Sequence, residues 1–208
     1  MDITALTPQP HFRIMLDLSL AFIPLFISFI IFIPKYKNRN IIWWTGFIIF
    51  IAFLPNAPYA LSDYIHILGA IDDYHNLIFL YFILLPAYTL YMLICFEAYV
   101  ISLTLFTHYL KKNSAQKWVL KLEILINLLC ALGIFLGRFQ RLNSWVIVTE
   151  FNDFLSRLKY DFSHFMPIII IIAIFIIIYI LFLIFKKINM LIWNKITTSI
   201  SHSKFHSN

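Results

Sequence analysis

Charged residues are scarce in this chain, since only 12% of its 208 residues are Asp, Glu, Lys or Arg, whereas 62% are hydrophobic. A soluble domain is typically about one quarter charged and about half apolar. A globule of this size could not bury so much apolar surface, so a lipid bilayer is the expected partner. The composition therefore indicates an integral membrane protein.

Cysteine and glycine are also rare. Cys95 and Cys130, the two cysteines, both lie inside apolar runs. This placement argues against a disulfide framework and predicts buried thiols. Only four glycines occur, and two of them, Gly133 and Gly137, are four residues apart. Small residues at this spacing are typical of a helix that a neighbouring helix approaches closely.

The formal net charge of +6 is spread over three basic clusters that flank apolar runs. This distribution argues against nucleic-acid binding and is typical of cytoplasmic segments next to membrane spans. The lysines and arginines of the three clusters are Lys35, Lys37 and Arg39; Lys111, Lys112, Lys117 and Lys121; and Lys186, Lys187, Lys195 and Lys204.

Five apolar runs are long enough to cross a bilayer, which takes about 20 residues. They lie near 14–34, 41–61, 77–108, 118–138 and 165–185. We expect an all-α, multi-pass bundle formed by a single transmembrane domain over 1–208. The third run exceeds one level span and is expected to tilt, to bend at Pro86 or to project from the bilayer. The fifth run is expected to be a lipid-facing anchor.

The basic clusters predict which side of the membrane each terminus of the chain occupies. The loop after the second run has acidic residues and no Lys or Arg, whereas the loops after the first and third runs are basic. The N-terminus is therefore expected outside the cell and the C-terminal tail, 186–208, in the cytoplasm. Between runs four and five, apolar and charged residues alternate at helical spacing near 147–162, which predicts a short amphipathic helix on the outer surface.

The stretch "FLPNAPYALSDYIH", residues 53–66, places polar side chains where a span should end. Its prolines cannot donate backbone hydrogen bonds, so we expect the second span to end near Leu54 and a new helix to start at Pro58. Asn56 would then lie near the cap of the new helix. Tyr59, Asp63 and His66 would share one face of it. The alternative is an ordinary helix end that reaches water.

A second polar stretch, "GIFLGRFQRLNSW", ends the fourth run. Arg138, Arg141 and Trp145 follow at i, i+3 and i+7 and would share a face beside Asn143 and Ser144. Arginine side chains bind phosphate and carboxylate groups with two parallel hydrogen bonds. The alternative is that the arginines extend to lipid headgroups or pair with acidic residues. Both polar stretches are predicted on the outer side, where they could face each other.

The sequence resembles the uncharacterised bacterial integral-membrane family catalogued as domain of unknown function 1361. "FLPNAPY" followed by "SDYIH", and then "LGRFQRLNSW", carry the resemblance, which covers roughly residues 20–185. It implies a polytopic membrane protein and supplies no reaction. The family typically has aspartate after the tryptophan of the second motif. This chain has Val146 there, so an acid at that point would have to come from Glu150.

Two chemistries fit these residues. Asp63 and His66, with Asp72, Asp73 and His75 nearby, are the residue types that hold a divalent metal, but no known metal-site motif is present, so no metal is assigned. In metal-free chemistry, His66 would act as an acid or base oriented by Asp63. Ser144 would then be the nucleophile, and the two arginines would stabilise negative charge.

Glu97 is a separate candidate because it lies inside the third run, about 21 Å along a helix from Lys111. An intramembrane carboxylate is a functional candidate by default, although a hydrogen bond to a group such as Asn127 would give it a structural role.

The leading hypothesis is that the protein recognises an anionic lipid-linked substrate in the cell envelope, and also modifies this substrate if the protein is an enzyme. Asn56, Tyr59, Arg138, Arg141, Asn143 and Trp145 would bind it. The alternative is a non-enzymatic transporter or a structural subunit of an envelope complex. No cofactor or oligomeric state is indicated.

Overall fold

The computed structural model describes residues 10–33, 40–63, 78, 80–138, 156, 159, 163 and 165–205. Across these residues the regular structure is entirely helical, as the sequence predicts. These described ranges contain six α-helices, in the order α1 (Pro10–Phe32), α2 (Ile41–Phe53), α3 (Asn56–Tyr59), α4 (Leu85–Lys112), α5 (Val119–Arg138) and α6 (Phe165–Phe205).

Five helical stretches are long and apolar enough to cross a membrane, in agreement with the five predicted runs. They are Ile14–Phe32, Ile41–Asp63, Tyr81–Lys112, Gln116–Arg138 and Phe165–Lys195. The helix of the last stretch continues to Phe205, so it extends well into the segment that was expected to be a tail. The side of the membrane that each end occupies stays a prediction. The predicted outer helix near 147–162 falls outside the described residues, apart from Ser156 and Lys159, which are helical.

The third span starts with a wider helical turn. Residues Leu80–Leu84 form a π-helix, and α4 follows directly at Leu85. Pro86 lies in the first turn of α4, directly after the π-helix, and it has no N–H to donate to a carbonyl of that preceding turn. The proline therefore marks the change from π to α geometry near one end of the span.

Helix α4 is the centre of the bundle. It packs against α1, α3, α5 and α6, and a larger share of it is buried than of any other span. Helix α6 is the least buried span, and isoleucines along it, such as Ile172 and Ile176, are about half exposed. This exposure fits its predicted role as an anchor whose outer face is covered by lipid.

An aromatic cluster joins the end of α1 to the start of α2. Asn40 caps α2, because its Oδ1 accepts a hydrogen bond from the Trp43 N–H at 3.1 Å. The Trp43 indole N–H donates to the Ile31 carbonyl at 3.3 Å. Phe32 then packs on Phe50 and Phe106, with ring centroids 5.1 and 5.2 Å apart. These contacts set the path of α2 toward the proline turn that follows it.

Candidate functional site

The second span breaks at Leu54 and Pro55 and resumes as α3, which leads into a 3₁₀-helix over Ala60–Asp63. The new helix starts at Asn56, two residues before the predicted start at Pro58. The side-chain amide of Asn56 donates to the carbonyl of Phe53 at 3.1 Å. Asn56 therefore satisfies a carbonyl at the end of α2. It is also the first residue of α3, next to the N-cap Pro55, so it lies near the cap of the new helix.

Two glycines of α5 let α3 approach closely. A Cβ added at Gly133 would lie 3.2 Å from the Pro55 Cβ, and one added at Gly137 would lie 3.1 Å from the Tyr59 Cε2. Both distances are shorter than ordinary carbon contacts of about 3.5–4.0 Å. The close helix approach predicted from the glycine spacing is thus present, and it joins the two polar stretches.

Arg138, the last residue of α5, reaches across this contact. Its Nη2 donates to the Asp63 Oδ1 at 2.9 Å and also to the carbonyl of Ser62. Its guanidinium carbon lies 5.5 Å from the centroid of the Tyr59 ring, a cation–π distance. The side chains of Arg138 and Asp63 are only 16% and 13% exposed, so this is a largely buried ion pair.

Helix α4 adds a second partner for the carboxylate. The Tyr91 hydroxyl donates to the Asp63 Oδ2 at 3.3 Å, so both carboxylate oxygens accept a hydrogen bond. Asp17 of α1 lies close enough to Tyr91 and to the neighbouring Cys95 for its negative charge to act on both. We call the group of Tyr59, Ser62, Asp63, Tyr91 and Arg138 the motif-end cluster.

The structure brings together three of the predicted site residues, Tyr59, Asp63 and Arg138. Asn56 lies on the same segment, but the hydrogen bond of its amide goes to the α2 backbone. The other candidates lie outside the described residues, so their roles stay predictions. They are His66, Arg141, Asn143, Ser144 and Trp145.

Glu97 lies on a different face of α4. It lines an apolar groove of about 370 Å³ between α1, α4 and α6, together with Phe22, Leu93 and Phe185. Its Oε1 accepts a hydrogen bond from the Asn189 amide of α6 at 2.6 Å. The partner of Glu97 is therefore an amide, as suggested, but it is Asn189 and not Asn127.

Asn127 instead belongs to a second buried polar group. Its Oδ1 accepts a hydrogen bond from the Tyr99 hydroxyl at 3.0 Å, and its amide donates to the Glu123 carbonyl at 2.7 Å. The Glu123 carboxylate forms an ion pair with Lys186 of α6, and the Lys186 ammonium lies 5.2 Å from the Phe182 ring centroid. Glu123 is only 4% exposed, which makes it a buried charge.

This pair was not predicted, although the sequence contains a signal for each partner. Glu123 is an acid inside the fourth apolar run, as Glu97 is inside the third. Lys186 directly follows the fifth run, so it was counted with the tail. Within the described ranges, no group of three or more His, Cys, Asp or Glu could hold a metal ion.

Five long apolar helices, buried ion pairs and a polar cluster at one end define a multi-pass helical membrane protein. Residues 16–181 match the family described as Protein of unknown function (DUF1361), and the chain belongs to this family. No curated protein and no solved structure matches the chain.

Proposed function

We propose that the motif-end cluster recognises the anionic headgroup of a lipid-linked molecule in the cell envelope, reached from the outer side of the membrane. The observation that carries this proposal is the placement of Arg138. Its guanidinium pairs with Asp63, and the Ser62 carbonyl and the Tyr59 ring hold it in one orientation at the junction of the two motif segments. A guanidinium fixed in advance loses little further freedom when it binds a phosphate or carboxylate.

The charges of the described residues limit how an anion would bind. Arg138 is opposed by Asp63, and Asp17 adds a second negative charge close by. The cluster therefore has no net positive charge to attract a headgroup. In our proposal the headgroup replaces Asp63 as the partner of Arg138, with Arg141 as the second cation. Asn143 and Trp145 would complete the contacts, as their sequence positions predict.

If the bound molecule is also modified, the residues for that step are His66 as acid or base and Ser144 as nucleophile. Asp63 accepts hydrogen bonds from Arg138 and Tyr91, which favours a positioning role for it over that of a general base. Asp63 would then orient His66 and would not itself carry the transferred proton.

A structural role is the second candidate, and the paired state of Arg138 favours it. In that case the ion pair with Asp63 simply holds the 3₁₀-helix Ala60–Asp63 against the end of α5. The two candidates predict different lipid binding when Asp63 loses its charge. Anion recognition becomes stronger in the first case, because Arg138 no longer has a competing carboxylate. In the structural case the fold is weakened and lipid binding stays the same.

The test is a competition between lipids. The purified protein is incubated in detergent with equal amounts of phosphatidylcholine, phosphatidylglycerol and a polyprenyl phosphate, and bound lipids are counted by native mass spectrometry. Arg138→Gln is expected to reduce the retained anionic lipid about tenfold, equal to about 1.4 kcal/mol of binding free energy. Asp63→Asn is expected to increase it.

The matched control is Lys117→Gln, which removes one positive charge from an exposed residue near the other end of the same span. It should leave the lipid selectivity of the wild type unchanged. If Arg138→Gln retains as much anionic lipid as Lys117→Gln does, Arg138 does not recognise a headgroup and the structural role stands.

A further inference from the structure

Glu97 carries a carboxylate in the middle of the third span. It lies about halfway between Tyr81 and Lys112, the two ends of the span, and its side chain is half-buried. A carboxylate at this depth is costly in a bilayer and is by default a functional candidate. It belongs neither to the motif-end cluster nor to the buried group around Glu123, so neither of these explains its presence.

Within the described residues, the chain gives Glu97 an amide partner and not a cation. The two ion pairs of this part of the molecule neutralise Asp63 and Glu123. Glu97 instead accepts a hydrogen bond from the Asn189 amide at its Oε1, over 2.6 Å. This contact leaves its Oε2 for another partner, and a positive charge from outside the chain would neutralise the carboxylate.

The groove beside Glu97 has the size and the walls of a site for a small apolar ligand. Its volume of about 370 Å³ lies within the range of about 300–1,000 Å³ that is usual for small-molecule sites. Apart from Glu97, the residues that line it are all apolar, and the rings of Phe22 and Phe185 are among them. Leu93 and Ile94 on its wall are 43% and 41% exposed, so the groove is open on the side that faces lipid.

We propose that this groove binds a lipophilic organic cation, which enters it from the hydrocarbon of the bilayer. The positive charge of the ligand lies against the Glu97 carboxylate, and its apolar body fills the groove between α1, α4 and α6. An electrostatic contact is stronger in such an apolar site than in water, and aromatic rings attract cations as well. Charge complementarity thus selects a cation over a neutral or anionic lipid.

The volume of the groove selects a small ligand over the transmembrane helix of a partner. One turn of an α-helix, about 10 Å across and 5.4 Å long, fills about 400 Å³. The groove therefore accommodates less than one turn, whereas a transmembrane partner would contact the bundle over several turns. A molecule with one positive charge and a compact apolar body matches both the volume and the single carboxylate that lines the groove.

The probe for the test is radiolabelled tetraphenylphosphonium, a cation surrounded by phenyl rings. Equilibrium dialysis of the full chain in a non-ionic detergent measures its binding, and protein-free micelles serve as the blank. The wild type is expected to bind the cation saturably. Triphenylphosphine oxide, which is neutral and has similar rings, should not displace it.

Two variants test the charge and the volume of the site separately. Glu97→Gln removes the charge but keeps an oxygen that can accept the Asn189 hydrogen bond, and it should weaken binding about tenfold or more. Leu93→Trp keeps the charge and fills the groove with a larger side chain, so it should weaken binding by a similar factor. Leu90→Trp is its matched control, because Leu90 is 60% exposed on the same helix and does not line the groove. This control should bind the cation as the wild type does.

The proposal is overturned if the wild type retains no more cation than protein-free micelles do, or if Glu97→Gln binds as tightly as the wild type. Equal binding by Leu93→Trp and Leu90→Trp would overturn it as well, because the cation would then lie outside the groove. If size-exclusion chromatography shows that Glu97→Gln does not fold, the two tryptophan variants decide the outcome. None of these results depends on Arg138, so anion recognition by the motif-end cluster is tested separately.

Discussion

Replacement of Gly133 by alanine is expected to weaken the contact between α5 and the proline turn that precedes α3. The added Cβ would lie 3.2 Å from the Cβ and 3.7 Å from the Cγ of Pro55. A proline Cβ belongs to a ring fused to the backbone, so it cannot move aside by a change of rotamer. The turn or the whole of α5 must shift instead.

The magnitude follows from two opposing terms. Overpacking of this kind costs about 1–3 kcal/mol. Removing glycine from a helix interior returns up to about 1 kcal/mol. Gly133→Ala should therefore lower the free energy of unfolding by about 0–2 kcal/mol.

A second glycine supplies the control that isolates the contact. A Cβ at Gly46 would meet the Ile31 Cγ2 at 3.4 Å and the Cδ1 at 3.9 Å, which are ordinary van der Waals contacts. Gly46→Ala should therefore be neutral or stabilising by up to about 1 kcal/mol. The two alanine variants should differ by about 1–3 kcal/mol, with Gly133→Ala the less stable.

The assay is thermal unfolding of both variants in the same detergent, followed by intrinsic tryptophan fluorescence. For a chain of this size, 1 kcal/mol corresponds to about 2–4 °C in Tm. If Gly133→Ala is as stable as Gly46→Ala, the close approach of Pro55 to α5 is not present in the protein. The argument that this glycine brings the two polar stretches together would then fail.

Two further predictions concern the ion pairs, and thermal unfolding in detergent measures both. Arg138→Gln and Asp63→Asn should each destabilise the protein, and a double-mutant cycle should give a coupling of about 1–3 kcal/mol; additive effects would contradict the observed pair. Lys186→Met should cost about 3–5 kcal/mol, since it leaves Glu123 charged and buried, and adding Glu123→Leu should restore most of that loss. If the double variant is less stable than Lys186→Met alone, the ion pair itself stabilises the bundle.

The sequence was sufficient to predict the helical spans because their signal is strong and local. Each span is a long run of apolar residues, and the length of the run is set by the bilayer thickness. The glycine spacing of α5 was similarly informative, because small residues four apart create a groove on one helix whatever packs into it. Both predictions depend on residues close together in the chain.

The polar partners could not be predicted, because each pair joins distant parts of the chain. Glu97 required an amide donor, and the sequence offers one in the fourth span, Asn127, and another, Asn189, in a segment first assigned to the tail. Only the continuation of α6 through that segment brings Asn189 to Glu97. Prediction is limited in the same way over a short distance. The side-chain amide of Asn56 can form a hydrogen bond either with the end of α2 or with the start of α3.

The continuation of α6 also changes how the basic clusters are interpreted. Lys186 was expected to mark the edge of the membrane, because it is the first charge after an apolar run. Its ammonium is instead paired with Glu123 and packed over Phe182, so it adds no free positive charge to that end of the bundle. The predicted orientation of the chain in the membrane therefore depends on the lysines that are exposed, Lys112 and Lys187 among them. A lysine next to an apolar run indicates the cytoplasmic side only when no acid within the neighbouring span can neutralise it.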